Sequence, residues 1–393
     1  MAEQAAVDVA VIGGAAMGAS CAFWLTKMQP GLRVLVVERD PSYARASTAL
    51  SVASIRSQFT TPVNVAISRF GIGFIRNFAQ ELGLPEAGSL GFRENGYLFL
   101  TGTAEGAAVL SEVAAMQRSL GAATEMLDPA ALQRRFPWLE VGDLVAGSFG
   151  PRDEGWFDNM GLLNGLRMAA RAQGVRFVRD EVTGLELTGD RVGAVLLGQG
   201  GRVPCGVAVN AAGTRAAAVM AMAGLELPVE PRKRTVFVID APNARHPDAP
   251  LLVDAGFYMR PEQNHWITAT VPQDDGPCAP DDFEPDLHLF EDVIWEQLYA
   301  RAPGFDAVKV VRHWVGHYAY NTLDQNAILG PHPARPNLFL MNGFSGHGLQ
   351  QSPAVGRGVA EHILTGGWQS LDLSDLGVGR VLAGRPFLER AVV

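Results

Sequence analysis

Three glycines and one acid have the types and the spacing to hold a pyrophosphate and a sugar. The run Val7-Asp8-Val9-Ala10-Val11-Ile12 ends in Gly13-Gly14-Ala15-Ala16-Met17-Gly18, and a helix-compatible stretch over residues 19–27 follows at once. An apolar β-branched run stopped by glycines and continued as a helix is the opening of a βαβ unit. Gly13 can make the turn and Gly18 lets the helix lie close on the strand. The free N–H groups and partial positive charge of the helix start would then face a pyrophosphate. Where a middle glycine is usual, Ala15 adds one methyl group. Residues 33–38 read as a second strand, and Glu38, 20 residues past Gly18, stands where a carboxylate can take both hydroxyls of a ribose. This implies an adenine dinucleotide with a free 2′-hydroxyl and disfavours NADP. A glycine-rich turn alone also serves plain strand–helix packing; strand, turn, helix, second strand and acid in register favour the nucleotide.

The elements that must position these groups follow in order. The polar loop 39–61, with Ser47, Thr48 and Arg56, is too long for a simple βα connection and is expected to be functional. Thr60 or Thr61 can cap a helix with Pro62 in its first turn, running to about Leu82 before Gly83. The alternating stretch 92–100 holds Asn95-Gly96, a hairpin turn, so antiparallel strands break the βα rhythm and a second layer begins. Helices are expected over 103–120, 128–135 and 158–173, and strands over 175–178, 182–187, 191–197 and 203–209. The last strand runs into Asn210-Ala211-Ala212-Gly213-Thr214, a second stretch of bare backbone that suits the nucleotide. Further strands are expected within 232–271, then a helix over 285–301, a strand over 308–320 and two short apolar strands at 327–329 and 338–341. The loop Asn342-Gly343-Phe344-Ser345-Gly346-His347-Gly348 then opens a helix to about Leu364. There is no internal repeat, and the tail after Gly366 carries no reading.

The whole chain narrows the classes. Its 393 residues, 48% apolar, can bury a large core in two or more domains. A net charge of −9 without a basic block argues against a nucleic-acid or anionic-membrane partner. No apolar run approaches the roughly 18 residues of a membrane span, and the acidic start Met1-Ala2-Glu3-Gln4 lacks the basic region of a signal peptide, so a cytoplasmic protein is expected. Cys21, Cys205 and Cys278 are odd in number and far apart, against a disulfide framework or a C-x-x-C pair. His313 and His317 are spaced like helical ligands, but Trp314-Val315-Gly316 reads as strand and no third ligand is nearby, so no metal is expected. None of the three lysines sits in a G-K-[ST] motif, which sets phosphoryl transfer aside.

In this order the pieces resemble the D-amino-acid oxidase and sarcosine oxidase superfamily of FAD enzymes, the DAO family, which includes glycine oxidase. The resemblance spans about residues 7–364. It rests on the opening turn with Glu38, the Ser-rich loop with Arg56, Val209-Asn210-Ala211-Ala212-Gly213, Tyr258-Met259-Arg260-Pro261, residues 312–318 and the loop 343–348. Ser51-Val52-Ala53-Ser54-Ile55-Arg56-Ser57-Gln58-Phe59, with Gly343 to Gln351, looks closest to the FAD-dependent oxidoreductase-domain branch, some of whose members assemble a respiratory complex. The implied fold is α/β, α+β overall. A Rossmann-like FAD domain is made from residues 1–85, 140–215 and 325–393, and a substrate domain with a mainly antiparallel sheet from 86–139 and 216–324.

The resemblance puts Gly13, Gly14, Ala15, Ala16, Met17 and Gly18 at the FAD pyrophosphate and Glu38, with Arg39, at the adenosine. Ser47, Thr48, Ala212 and Gly213 lie beside the cofactor, and Gly343, Gly346, His347, Gly348, Leu349 and Gln350 at the pyrimidine end of the flavin. Covalent relatives have a cysteine near Gly316 or a histidine near Leu50; neither is present, so non-covalent FAD is expected. Sarcosine-oxidising relatives carry a lysine where Leu349 and Gln350 stand. The implied reaction is oxidation of a C–N bond in a small amine or amino acid, with hydride passing to flavin N5 and an imine formed. Arg56 is the candidate for a substrate carboxylate, with a structural ion pair as its alternative. Tyr258 is a hydrogen-bonding or core tyrosine. His347 is a base or tuning group, or a cap and packing residue at the helix start. Competing functions are 2-hydroxy acid dehydrogenation and a flavin-bearing assembly protein without turnover. The electron acceptor is oxygen, a quinone or an electron-transfer protein.

Overall fold

Val7–Ile12 is buried along almost its whole length, and a strand apolar on both faces needs a parallel sheet covered by helices. The computed structural model, which describes residues 2–390, supplies that setting. The strand pairs in parallel with Gly201–Asn210 on one side and Val34–Glu38 on the other, and Arg176–Arg179 extends the sheet past Val34–Glu38. Gly201–Asn210 is long enough to serve two neighbours. Its first half pairs antiparallel with Arg191–Leu197, itself paired with Val182–Thr188, and its second half takes Arg335–Asn342 in parallel. Helix Ala16–Met28 is buried over most of its length because helix Gly348–Thr365 crosses it closely. A Cβ on Gly356 would stand 2.2 Å from Ser20 Oγ.

A second, eight-stranded sheet lies over the first in the order Lys309–Asn321, Val229–Asp240, His265–Thr270, Phe257–Glu262, Leu251–Asp254, Tyr97–Thr101, Ala146–Gly150 and Glu125–Leu127. It is antiparallel except where Leu251–Asp254 meets Tyr97–Thr101. The expected division of the chain is therefore corrected at two places. Ala146–Gly150, placed with the nucleotide domain, belongs to this sheet because its apolar residues complete the core under Leu98 and Leu132. Helix Ala216–Met222, placed with the substrate domain, packs Ala216, Val219 and Met220 into the nucleotide core.

Local corrections have local causes. The expected helix to Leu82 divides into Pro62–Arg76 and Phe78–Leu82 at Asn77. Asn95-Gly96 joins no hairpin. Gly96 donates its N–H to Glu154 O, Asn95 Nδ2 binds the carbonyls of Pro247 and Ala249, and only Tyr97–Thr101 is a strand there. The helix expected from 285 starts at Phe290 with a π turn and continues as Trp295–Arg301. The tail does carry structure. Arg380 Nε and Nη2 hold Asp324 at 2.7 and 3.1 Å, Phe387 N–H donates to Asp324 Oδ2, and Glu389 is completely buried. Among the described residues, no helix is long and apolar enough to cross a membrane.

Candidate active site

A cavity of about 730 Å³ runs between the two sheets. All the candidate residues line it except Gly14 and Gly18. Gly18 is a packing residue: a Cβ there would stand 1.9 Å from Gly13 O, so glycine alone lets the helix leave the strand at this angle. Gly14 donates its N–H to Glu38 Oε2 at 2.8 Å. Gly13 has φ +96°, and a side chain on it would meet Ala211 O at 2.5 Å. The turn and the second bare stretch at Ala211–Ala212 thus press together beneath the cavity.

Glu38 does more than wait for a ribose. Its carboxylate accepts the N–H groups of Gly14 and Asp40, the latter at 2.8 Å, and so fixes the turn to the end of Val34–Glu38. Thr48 Oγ1 accepts the N–H of Ala16 in the first turn of the helix, and Ser47 Oγ donates to His317 O, tying the polar loop to both sheets. A strap over residues 272–286 descends from the second sheet and closes this end. Its Asp281 pairs with Arg215 at 2.5 Å and with Arg39 at 3.4 Å, both cavity residues of the nucleotide half. On its own sheet the strap is held by Asp275 on Arg232 and Arg234 and by Asp282 and Asp286 on Lys233. Pro280 and Phe283 of the strap face the cavity.

The inner end is a cluster of two arginines and three tyrosines, Arg56, Arg234, Tyr97 and Tyr258 buried and Tyr318 half-buried. Arg56 is held by Gln350, whose Oε1 accepts its backbone N–H at 2.8 Å, and by Gln58, whose carbonyl accepts Nη1 at 2.6 Å. Its guanidinium lies 4.3 Å from the Phe59 ring centre. Arg234 grips Asp275 with two bonds of 2.5 and 2.9 Å and lies 4.9 Å from the Tyr318 ring. Burial raises the tyrosine hydroxyls, Tyr258 well above the usual range, so they stay neutral donors. Beneath Arg56, Glu154 is fully buried. Its oxygens accept from Ser57 N–H and Gln58 Nε2, yet burial outweighs these bonds and the charge of Arg56 and pushes its carboxyl up to about 7.

The loop 343–348 forms the remaining wall. Gly346 has φ +97°, and a Cβ on it would strike the Tyr318 ring at 2.7 Å. His347 caps the helix Gly348–Thr365 and faces the cavity with its ring edge-on to Phe59 at 5.1 Å. Leu349 and Gln350 line the cavity, Gln350 turned towards Arg56. Gly316 and Leu50 face each other: a Cβ on Gly316 would come 3.2 Å from Leu50 O. His317 lines the cavity, its ring stacked on Phe283 at 4.4 Å and its Nε2 2.6 Å from Asp282 O. Among the described residues, no group of three potential metal ligands occurs. Arg260 bonds Glu262 and the carbonyl of Val52 and does not line the cavity.

Sequence reasoning missed Arg234, Tyr97, Tyr318, Arg215 and Asp281. For Arg234 and Tyr318 a signal existed. Arg232 and Arg234 share one face of a strand, and the register sets Arg234 against Gly316, two residues before Tyr318. For Asp281 the signal was the length and acidity of the loop after Val271.

These residues fit FAD. The glycine turn leaves bare backbone at the helix start, Glu38 ends the second strand, and the cavity continues to a polar inner end. Along it, Tyr43 Oη, Arg234 Nε and Asn342 Oδ1 are buried polar atoms without a protein partner among the described residues.

Comparison with known proteins agrees. Residues 8–362 match the profile of the family described as DAO, FAD dependent oxidoreductase. The FAD-dependent oxidoreductase domain-containing protein 1 of Xenopus laevis is 39% identical over 423 residues, covering 98% of this chain and 85% of that protein. The human mitochondrial sarcosine dehydrogenase is 26% identical, covering 91% of this chain and 40% of that protein. Among solved structures, the L-proline dehydrogenase of P. horikoshii superposes with a TM-score of 0.86 at 25% identity, covering 98% of this chain and all of the other.

Proposed function

Since the chain belongs to the DAO family of FAD-dependent oxidoreductases, we propose that it oxidises the C–N bond of a small amino acid or carboxylate-bearing amine. The observation that carries this reading is the placement of Arg56 with Tyr97, Tyr258 and Tyr318, whose hydroxyls burial keeps neutral, along the same cavity as the loop 343–348. FAD, when bound, supplies the hydride acceptor. The protein's part is to bind and orient. Arg56 offers a planar fork to a carboxylate and is itself held rigid by Gln350 and Gln58. Tyr258 and Tyr318 donate as neutral phenols to the rest of the substrate. The strap and the apolar walls exclude water, which strengthens each of these interactions. Sarcosine dehydrogenase and L-proline dehydrogenase bear the names of secondary amino acids, and these are the substrates to try first.

The test is anaerobic bleaching of the bound flavin by a panel of amines, amino acids and 2-hydroxy acids. Loss of the yellow colour with a secondary or primary amino acid supports the reading. Bleaching by hydroxy acids alone replaces it, and a flavin that no member reduces points to an assembly protein without turnover.

A further inference from the structure

We propose that Glu154 is a positioning residue for Arg56: through Ser57 and Gln58 its buried carboxylate holds residues 56–58 in the arrangement that presents the guanidinium to a substrate carboxylate. The proposal rests on the reading of Arg56 as the group that takes that carboxylate.

The topology brings Glu154 to this place. Ser54–Ile55 pairs antiparallel with Gly155–Trp156, Ile55 opposite Gly155, which sets Glu154 beside the segment that begins at Arg56. On its other side lies Ala146–Gly150, where a Cβ on Gly150 would stand 2.2 Å from Glu154 Oε2, so the strand makes room for the carboxylate. The carbonyl of Glu154 accepts the Gly96 N–H at 3.0 Å, just before Tyr97–Thr101. From there its two oxygens reach the segment by separate bonds. Oε1 accepts the Ser57 N–H at 2.9 Å and fixes the peptide that follows Arg56. Oε2 accepts Gln58 Nε2 at 2.8 Å, and the carbonyl of Gln58 accepts Arg56 Nη1 at 2.6 Å. Arg56, Ser57, Gln58 and Glu154 are all buried.

The side chain of Gln58 is held in one orientation. Its Nε2 also donates to the carbonyl of Tyr97 at 2.9 Å, and its Oε1 accepts from Ser148 Oγ at 2.7 Å. Turning the amide over would set Oε1 against the Tyr97 carbonyl, so Gln58 presents a donor to Glu154. Both carboxylate oxygens thus receive donors, and the network matches the ionised form; a proton on Oε2 would set donor against donor. The charged and titratable groups that face Glu154 are Arg56 from the polar loop, Tyr97 from the second sheet and Asp153 from its own turn. Asp153 is held by Arg69 and Arg76 at 2.5 and 2.9 Å, and Ala146–Gly150 contributes no such group. Burial pushes the Glu154 carboxyl up to about 7 against the pull of its bonds and of Arg56, so the match is made and lost near neutral pH.

An ordinary buried network would only stabilise the fold, so the experiment reads ligand affinity. Holoprotein is titrated with acetate, propanoate and butanoate, each against its amide, and binding is followed in the visible spectrum of the flavin. Wild type should bind the acids more tightly than the amides. Glu154→Gln and Gln58→Met should each weaken the acids about fivefold, the loss of one neutral hydrogen bond, and the double variant no further. Wild-type affinity for the acids should fall by about the same factor from pH 8 to pH 6 while Glu154→Gln stays level, because only the ionised carboxylate holds Gln58. Removal of a negative charge beside Arg56 would by itself tighten the acids. Tighter binding in Glu154→Gln, binding within about twofold of wild type, or additive losses in the double variant therefore overturn the proposal. The wild-type profile depends on no variant's folding, and a level profile overturns it too. Wild type that binds the acids no better than the amides overturns the carboxylate reading of Arg56 itself, a separate result.

Discussion

At the scale of single residues, Arg56 and Glu38 each make structural bonds, and their proposed ligand roles can be tested apart from these. Arg56→Ala should lower kcat/KM at least tenfold on a carboxylate substrate while the flavin is retained, since a charged hydrogen bond contributes about 1.5–3 kcal/mol. Unchanged kinetics would reduce Arg56 to a support for Gln58 and Phe59. Glu38→Ala should purify with markedly less FAD, because it loses both the ribose contacts and the bond that holds Gly14 in the turn. Full flavin content in that variant would count against the assignment. Glu38 was legible because its role is set by distance along the chain from a glycine turn. Glu389 was not, because what matters about it is a neighbour 329 residues away. Such neighbours are chosen by the sheets, not by local spacing.

At the scale of elements, the segment beneath Arg56 and the strap above the nucleotide end carry separate expectations. Glu154 sits in the folded chain with its carboxyl raised to about 7 from an ordinary 4.5, so the folded state binds the proton more tightly than the unfolded one. Its ionisation therefore costs stability as pH rises through that window and adds no further cost above about 7. The melting temperature of Glu154→Gln relative to wild type should accordingly climb between pH 5 and pH 8; a difference independent of pH would sink this. In the strap, the Asp281 pairs are largely solvent-exposed and individually weak. Asp281→Asn should speed FAD release about two- to fivefold, and high salt should do the same to wild type but not to the variant. Equal release rates would mean that the strap does not hold the cofactor. Strands and helices with strong periodicity were readable from sequence to within a residue or two. The misread turn at Asn95-Gly96 shows the limit: its local chemistry is that of a hairpin, but the strand it opens finds partners at Ala146–Gly150 and Leu251–Asp254 instead.

At the scale of the molecule, the expectation is FAD held without a covalent bond, since Gly316 and Leu50, which face each other in the cavity, carry no nucleophile. Acid precipitation should leave the yellow colour in the supernatant, and colour in the pellet would refute it. The strand His265–Thr270 has no lysine, Lys233 is engaged with Asp282 and Asp286, and Arg234 with Asp275. Slow reoxidation by air, relieved by a dye acceptor, is therefore expected of substrate-reduced enzyme in stopped flow; peroxide formed at the rate of turnover would contradict it. The two-sheet plan was legible from the order of motifs, whereas the borders between its halves were not, because Ala146–Gly150 and Ala216–Met222 look alike to either core. That plan also imposes a timetable. Gly201–Asn210 needs Val7–Ile12 on one side and Arg335–Asn342 on the other, so the floor of the cofactor site joins segments more than 300 residues apart. During synthesis the opening turn can meet Val34–Glu38 at once, but the floor beneath it is complete only when Arg335–Asn342 has left the ribosome, and loop closures of that span are slow. Acquisition of FAD colour by a nascent chain would thus mark the end of folding and not its start.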